Sequence, residues 1–398
     1  MKTADVIVIG AGVIGCNAAY QLAKRGMKVL LLDRAGAPGG TSGTTAGHVT
    51  VQQRAAGAFR DLTMTSFALM KELAKELDTD FEYIQTGGLI VAENETEREL
   101  LKQFVAIQSA HLPMSFLEAQ ELRAAEPFLS ETLVGASFCP LDGYLNPMLL
   151  CRALCRGIIR QGGTVRLKTV VTGIVCDQGV AVGVATSEGQ LSSQDVVLAA
   201  GVWTPDLAAT VGFDLPIIAR KGQLLVTEPV GRMLNSLVHH AVTIPFAAIG
   251  IPTPEDFSNP MAHRRHLRYV KQARSGIFAG RVYIGSTSEF CGFDRAATPE
   301  ALSTLAHYAT EIVPALARVR LLRAWAGLRP RSKDGKFKVG RVPGVPHLYV
   351  ATGHDSAGVL YSAVTGMYLA QTIAGEQPLA DLSMFAPVAG TQSDVRKN

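Results

Sequence analysis

The stretch "ADVIVIGAGVIGCNAAYQLAKRGMKVLLLD", residues 4–33, constrains the fold of this 398-residue chain more than any other. Val6 to Ile9 is an uninterrupted apolar strand, which suits a parallel sheet covered on both faces. A glycine turn leads into a helix with Val13, Ile14, Ala18 and Leu22 on one face. Gly26 ends that helix, and Val29 to Leu32 make the next strand. This is one βαβ unit. Within it Gly10, Gly12 and Gly15 form GxGxxG at the strand-to-helix turn. The first glycine permits the tight turn, the second lets a pyrophosphate approach the backbone, and the third lets helix pack on strand. The helix start at Val13 and Ile14 adds N–H donors and partial positive charge. Asp33 closes the second strand about 20 residues on, where an acid binds a ribose hydroxyl. An ordinary tight βα turn is the alternative, but it would not bring strand, helix, second strand and acid together.

The rest of the chain is long enough for a second domain. Residues 166–205 read as a β-meander with glycine turns, ending in a buried strand from Val196 to Ala200. Helical stretches are predicted at 62–78, 94–109, 116–124 and 147–161. Antiparallel strands follow over 223–290, then a helix from Pro299 to about Val313, and a strand from Leu348 to Ala351 before a last helix from Ala357 to Ala374. Residues 391–398 read as a disordered tail. With 38 basic and 34 acidic residues, net charge +4, nucleic acid is not an expected partner. The one basic block, "HRRHLRYVK" at His263 to Lys271, reads as a solvated hairpin rim. Six cysteines lie scattered without CxxC spacing. Cys151 and Cys155 read as small buried thiols, and no metal-ligand set is recognisable. Reduced thiols and an N-terminus that enters a strand at once point to the cytoplasm without a signal peptide. No apolar run reaches about 18 residues, so no membrane span is expected.

The loop after Asp33, "RAGAPGGTSGTTAGHVTVQQR", separates two classes of dinucleotide. Arg34, Gly40, Thr41, Ser42, Gly47 and His48 lie in it, among many backbone N–H groups and hydroxyls. Such a loop can wrap a second phosphate and lie along a flat ring system. An NAD site would more often run straight into another helix, so FAD is favoured.

The segments "VIVIGAGVIG", "GGTSGTTAGH", "DGYLNP", "DVVLAAGVWTP", "YIGSTSEF", "WAGLRPRSKDGKFKVGRVPG" and "LYVATGHDSAG" span the chain nearly end to end. Together they resemble the D-amino-acid oxidase superfamily, in particular glycine oxidase and sarcosine oxidase-like proteins. The resemblance implies an α/β fold. A discontinuous Rossmann-like FAD-binding domain (1–85, 146–222 and 323–390) combines a parallel sheet with helices and a β-meander. An α+β substrate domain (86–145 and 223–322) has a mostly antiparallel sheet. It also implies that Val171, Ala200, Gly201, Trp203 and Gly327 border the cofactor. The turn of Gly353, His354, Asp355, Ser356, Ala357, Gly358 and Val359 is expected to fold back beside the first turn and face the pyrimidine end of the flavin. A helix N-terminus there stabilises the negative charge that a reduced flavin gains.

Arg329 matches the position at which relatives hold a substrate carboxylate, where a buried guanidinium fork is the expected anchor; a structural ion pair is the other reading. Ser356 stands where glycine oxidase has an arginine, so the carboxylate is held differently and glycine is disfavoured as substrate. His48 either touches the ring or is a plain loop histidine, and His354 either shapes its turn or acts as a base. Tyr283, with Glu289 and Phe293, lines the substrate face or packs in the core. No cysteine near Gly327 offers covalent attachment, so non-covalent FAD is expected. The implied reaction takes the CH–NH bond of a small amino or imino acid to an imine, which then hydrolyses. "TGGLIVAENETERELL", "KGQLLVTEP" and "QARSGIFAG" are similar to catalytic beta subunits of hetero-oligomeric proline, hydroxyproline and opine dehydrogenases. Alpha and gamma partners carrying FMN or iron–sulfur would relay the electrons, since this chain has no cysteine cluster for one. Such partners would also allow an address peripheral to the inner membrane. A stand-alone oxygen-using oxidase, a non-catalytic nucleotide-binding assembly subunit and an NAD-dependent dehydrogenase are the alternatives.

Overall fold

In the computed structural model the described residues are 3–54, 57–241, 250, 269–273 and 279–388. The opening unit is β1 (Ala4–Ile9), α1 (Val13–Lys24) and β2 (Val29–Leu32), as its apolar pattern predicts. Next come β3 (His48–Val49), α2 (Ala58–Glu76), β4 (Gly88–Ala92), α3 (Glu95–Gln108), β5 (Ser115–Glu118), α4 (Ala119–Ala125), β6 (Gly135–Cys139) and β7 (Gly143–Tyr144). The single helix predicted at 116–124 is therefore a strand followed by a helix. Ser115 to Glu118 pair with β6, and Glu118 then forms a capping box with Glu121 that starts α4.

The middle of the chain gives α5 (Pro147–Arg160), β8 (Thr164–Arg166), β9 (Val171–Asp177), β10 (Val180–Thr186), β11 (Gly189–Leu198) and α6 (Thr204–Ala209). Asn146 caps α5, its side chain accepting from the N–H groups of Met148 and Leu149, with Pro147 in the first turn. After these run β12 (Ile217–Pro229), β13 (Leu237–His240), β14 (Tyr269–Gln272), β15 (Arg281–Gly285), α7 (Pro299–Ile312), β16 (Leu321–Ser332), β17 (Lys338–Arg341), β18 (Leu348–Thr352) and α8 (Gly358–Ala374).

The first sheet runs β17-β18-β11-β1-β2-β8, parallel from β18 to β8, with the antiparallel meander β9-β10 attached to the first half of β11. The late strand β18 is thus close to β1 but not adjacent, because β11 stands between them. Val6, Val8, Val29 and Leu31 face a core shared with α1, α2, α5 and α8, while Ile7, Ile9, Leu30 and Leu32 face one beneath the meander and α6. Both faces of the sheet are dry, which is why these strands are continuous apolar runs. Helices α1 and α8 touch closely: a Cβ on Gly366 would lie 2.7 Å from the backbone carbon of Asn17. Gly375, at φ +73°, ends α8 in the left-handed conformation.

The second sheet runs β16-β12-β15-β14-β13-β4-β6-β5 and is antiparallel except between β13 and β4. We keep the two-unit division as a proposal. Residues 217–222 and 323–332, placed above with the nucleotide-binding unit, run in this second sheet as parts of β12 and β16. Of the basic block, residues 263–268 lie outside the described residues, as does the tail 391–398. Tyr269, Val270 and Lys271 are buried in β14, so that end of the block is interior strand and not a solvated rim. No helix among the described residues is long and apolar enough to cross a membrane.

Candidate active site

The carboxyl ends of β1, β11 and β18 open into one cavity of about 410 Å³, the place where open parallel sheets bind ligands. Gly10 adopts φ +111°, and a Cβ there would lie 2.4 Å from the Ala199 carbonyl oxygen. One on Gly15 would lie 1.9 Å from the Gly10 carbonyl oxygen, so Gly15 serves packing and does not line the cavity. Gly12 differs: the Ser42 side chain, with Oγ at 3.1 Å, is all that a Cβ there would meet. Gly12, Val13 and Ile14 line the cavity, and Ser42 Oγ accepts from the Val13 N–H at 3.1 Å. Asp33 accepts from the N–H groups of Ala11 and Ala35, both at 2.7 Å, tying the glycine turn to the loop. Arg34 lies 3.8 Å over the Trp203 ring, against which Gly40 also packs. The Thr41 hydroxyl donates to the Leu328 carbonyl oxygen. Val171, Ala200 and Gly201 complete this end.

Farther along, the loop is gripped from outside the cavity. Trp325 Nε1 donates to the Thr44 carbonyl oxygen at 2.9 Å, Lys271 Nζ to that of Ala46, and the Leu145 N–H to that of Gly47 at 2.9 Å. Gly47, at φ +75°, lies against Leu145 and off the lining, and Gly327 packs on the Thr44 side chain. His48 lines the cavity in an aromatic group, with ring centroids 4.1 Å from Tyr269 and 5.3 Å from His239. Its Nε2 is shut off from solvent, with no hydrogen-bond partner among the described residues. Burial, helped by His239 and Lys271, holds its pKa well below the usual imidazole range, so the ring is neutral.

Arg329 reaches this same end from β16. Its Nη2 donates to Ser286 Oγ and to the Thr287 carbonyl oxygen, both at 2.8 Å. The guanidinium lies against Gly222, where a Cβ would fall 1.8 Å from Nη2. Burial raises the Tyr269 hydroxyl's pKa, and the positive charge of Arg329 pulls against it. Leu224, His239, Tyr269 and Ser286 share this chamber with Arg329 and His48. A fixed cationic fork, a phenol and two imidazoles among apolar walls suit a small molecule that carries both a carboxylate and an amine.

From the last turn, His354, Asp355, Ser356, Gly358 and Val359 line the cavity, while Gly353 and Ala357 do not. His354 is stacked 4.4 Å from Phe337, pairs through Nε2 with Thr365 Oγ1 at 3.0 Å, and is pushed down to about 3 by burial. It is a neutral wedge under the turn, too weak a base to serve near pH 7. Asp355, at φ +51°, is held by Arg220 at 2.6 Å and Arg331 at 3.1 Å.

Three residues read for the substrate face lie off the cavity. Tyr283 faces Lys271 and Trp325, Glu289 accepts from Gln223 Nε2 at 2.9 Å, and Phe293 is half-exposed on Trp203. Sequence reasoning missed Tyr269, His239, Leu224 and Arg54. Alternation along β13 and β14 says that one face turns inward but not which face meets a ligand.

The family model described as DAO, FAD dependent oxidoreductase, matches residues 5–372. The chain is 30% identical to hydrogen cyanide synthase subunit HcnC of Pseudomonas protegens, covering 100% of this chain and 99% of that protein. The structure of glycine oxidase from Geobacillus kaustophilus superposes with a TM-score of 0.86 at 26% identity, covering 98% and 100% of the two chains. L-proline dehydrogenase from P. horikoshii gives 0.82 at 25% identity, over 95% of each.

Proposed function

The chain belongs to the DAO family of FAD-dependent oxidoreductases, and from this premise we propose that it oxidises the CH–NH bond of a small amino or imino acid. The cavity fits FAD, since Gly12 leaves the backbone open to a diphosphate and the far end holds room lined by both polar and apolar groups. Gly10, Gly12, Val13, Asp33 and Ser42 would hold the nucleotide end without covalent attachment, and Ala46, His48 and the turn at Asp355 to Val359 the ring end. When bound, FAD supplies the two-electron acceptor that takes the substrate's hydride.

The protein's own part is positioning. Arg329 fixes the carboxylate and, with Tyr269, sets which C–H bond is presented. His48 is neutral and its Nε2 has no partner among the described residues, so it accepts a hydrogen bond from the substrate amine and favours the uncharged form that gives up hydride. Leu224 and the aromatic group keep water from the reacting carbon. The observation that carries this reading is Arg329, which lines the cavity and is immobilised against Gly222 by Ser286 and Thr287.

The end-to-end likeness to a protein named as a synthase subunit supports a further part of the proposal, that the chain works as the catalytic subunit of a hetero-oligomeric dehydrogenase whose partners take the electrons. A panel of proline, hydroxyproline, sarcosine, opines, D-amino acids and glycine, added anaerobically to the yellow protein, tests the first claim. Bleaching by at least one is expected, and a flavin that none reduces refutes it. Reoxidation tests the second: slow reaction with oxygen and fast reaction with an artificial acceptor are expected, and rapid oxygen turnover would assign a stand-alone oxidase.

A further inference from the structure

Behind the loop that lines the ring end sits a lysine that sequence pattern assigns to the surface. Lys271 is only 5% exposed. Its Nζ donates to the Ala46 carbonyl oxygen and lies over the rings of Tyr144 at 4.1 Å and Tyr283 at 5.0 Å. Among the described residues no ion pair holds it. Glu82 acts on it only at longer range, and burial lowers its pKa to about 7. An unpaired ammonium in such a place is unfavourable, so its position asks for an explanation beyond packing.

The loop's hydrogen bonds supply one. In a trans peptide the carbonyl and the following N–H point opposite ways. Trp325, Lys271 and Leu145 are all absent from the cavity wall, whereas Thr44, Thr45, Ala46 and His48 form part of it. Gripping three carbonyls from behind therefore turns the N–H groups of Thr45 and His48, which both line the cavity, toward it, while Gly47 itself stays off the lining. Among the described residues the Gly47 N–H meets only the Thr45 hydroxyl, at a long 3.4 Å. Of the three grips, the one from Lys271 alone carries charge.

We propose that Lys271 is a positioning residue for the FAD ring, setting the Ala46–Gly47 peptide through its carbonyl and supplying positive charge behind it. The proposal rests on the reading above, in which the ring lies at the Arg329 end. A cation there, behind the lining residues Ala46 and His48, favours the electron-rich reduced ring. The groups facing Lys271 are His48 from β3, Tyr144 from β7, Tyr283 from β15 and Glu82. His48 stays neutral, and Tyr283, pushed up to about 12 by burial, keeps its proton. Among these facing groups the charge that changes near neutral pH is then that of Lys271 itself.

The test is the midpoint potential of bound FAD, read by anaerobic dye-coupled reduction, in the wild type, Lys271→Met and Lys271→Arg. At about pH 6 the wild type should hold about tenfold more reduced flavin than Lys271→Met at equal applied potential, and the gap should close by about pH 9. Lys271→Arg, charged throughout, should keep its lead over Lys271→Met at both values. Loss of FAD from Lys271→Met but not from Lys271→Arg would support the positioning role by another route. Equal potentials in the wild type and Lys271→Met at both pH values overturn the proposal. If the wild type takes up no flavin, the reading of the cavity itself has failed, and this inference falls with it.

Discussion

Adding one methyl group at Gly222 is expected to disable Arg329, the proposed carboxylate anchor, through crowding alone. Gly222 lies in β12 opposite Gly327, and its φ lies outside the left-handed region that disfavours alanine. The strand can therefore accept Gly222→Ala, and relief of unfolded-chain entropy offsets local crowding by about 0.4–1 kcal/mol. The Arg329 guanidinium cannot accept it. Its Nη2 would sit 1.8 Å from the new carbon and must retreat by roughly 1.7 Å to reach ordinary contact distance. That breaks the two 2.8 Å bonds to Ser286 and Thr287 that aim it. A charge-assisted hydrogen bond contributes about 1.5–3 kcal/mol, so kcat/KM should fall about 10–100-fold, with KM raised at least as much as kcat is lowered. The assay is steady-state and anaerobic stopped-flow kinetics on whichever acid bleaches the flavin, with flavin content and melting temperature measured alongside. Arg329→Leu should lose more than about tenfold, and the alanine should add little in that background. Wild-type kcat/KM in a well-folded, fully yellow Gly222→Ala would show that Arg329 is not the anchor.

Other outcomes follow from the same geometry. Gly12→Val should fold normally yet purify colourless, because its branches enter the space left for the diphosphate; a fully yellow variant contradicts the assignment. Stability should carry a signature of Lys271. Its native pKa, near 7, lies below the value of an unfolded lysine, so the unfolded chain takes up the proton first as pH falls. Stability is then fullest above about pH 10, declines toward 7 and levels off below, by about 4 kcal/mol or less in all. Lys271→Met should abolish that decline in urea titrations across the range, and parallel curves for the two proteins would exclude it. Gly366→Ala should destabilise by about 1–3 kcal/mol, because its methyl meets the Asn17 backbone and not a yielding side chain; an unchanged urea midpoint would deny that α1 and α8 pack so closely.

The parts of the molecule legible in sequence are those where local chemistry leaves few choices. Val6 to Ile9 and Val29 to Leu32 are apolar without interruption because both faces of the first sheet are dry, and the glycine spacing fixes the turn between them. The resemblance located Arg329 and the last turn. What stayed hidden depended on partners distant in the chain. Ser115 to Glu118 has a helical pattern but is captured by β6. Tyr269 and Lys271 sit at the end of a run of basic residues and read as solvated until β14 is seen between β13 and β15. Tyr283 alternates as a cavity residue should, yet its neighbours are Lys271 and Trp325.

The close fit of Gly366 against Asn17 also bears on how the protein is made. A ribosome delivers the glycine motif more than three hundred residues before the helix that packs beside it, so the nascent chain emerges with one whole flank of α1 uncovered. Cofactor loading then belongs after release, when the late segment arrives to close the cleft. Until that moment this flank of α1 stays open to solvent and to chaperones.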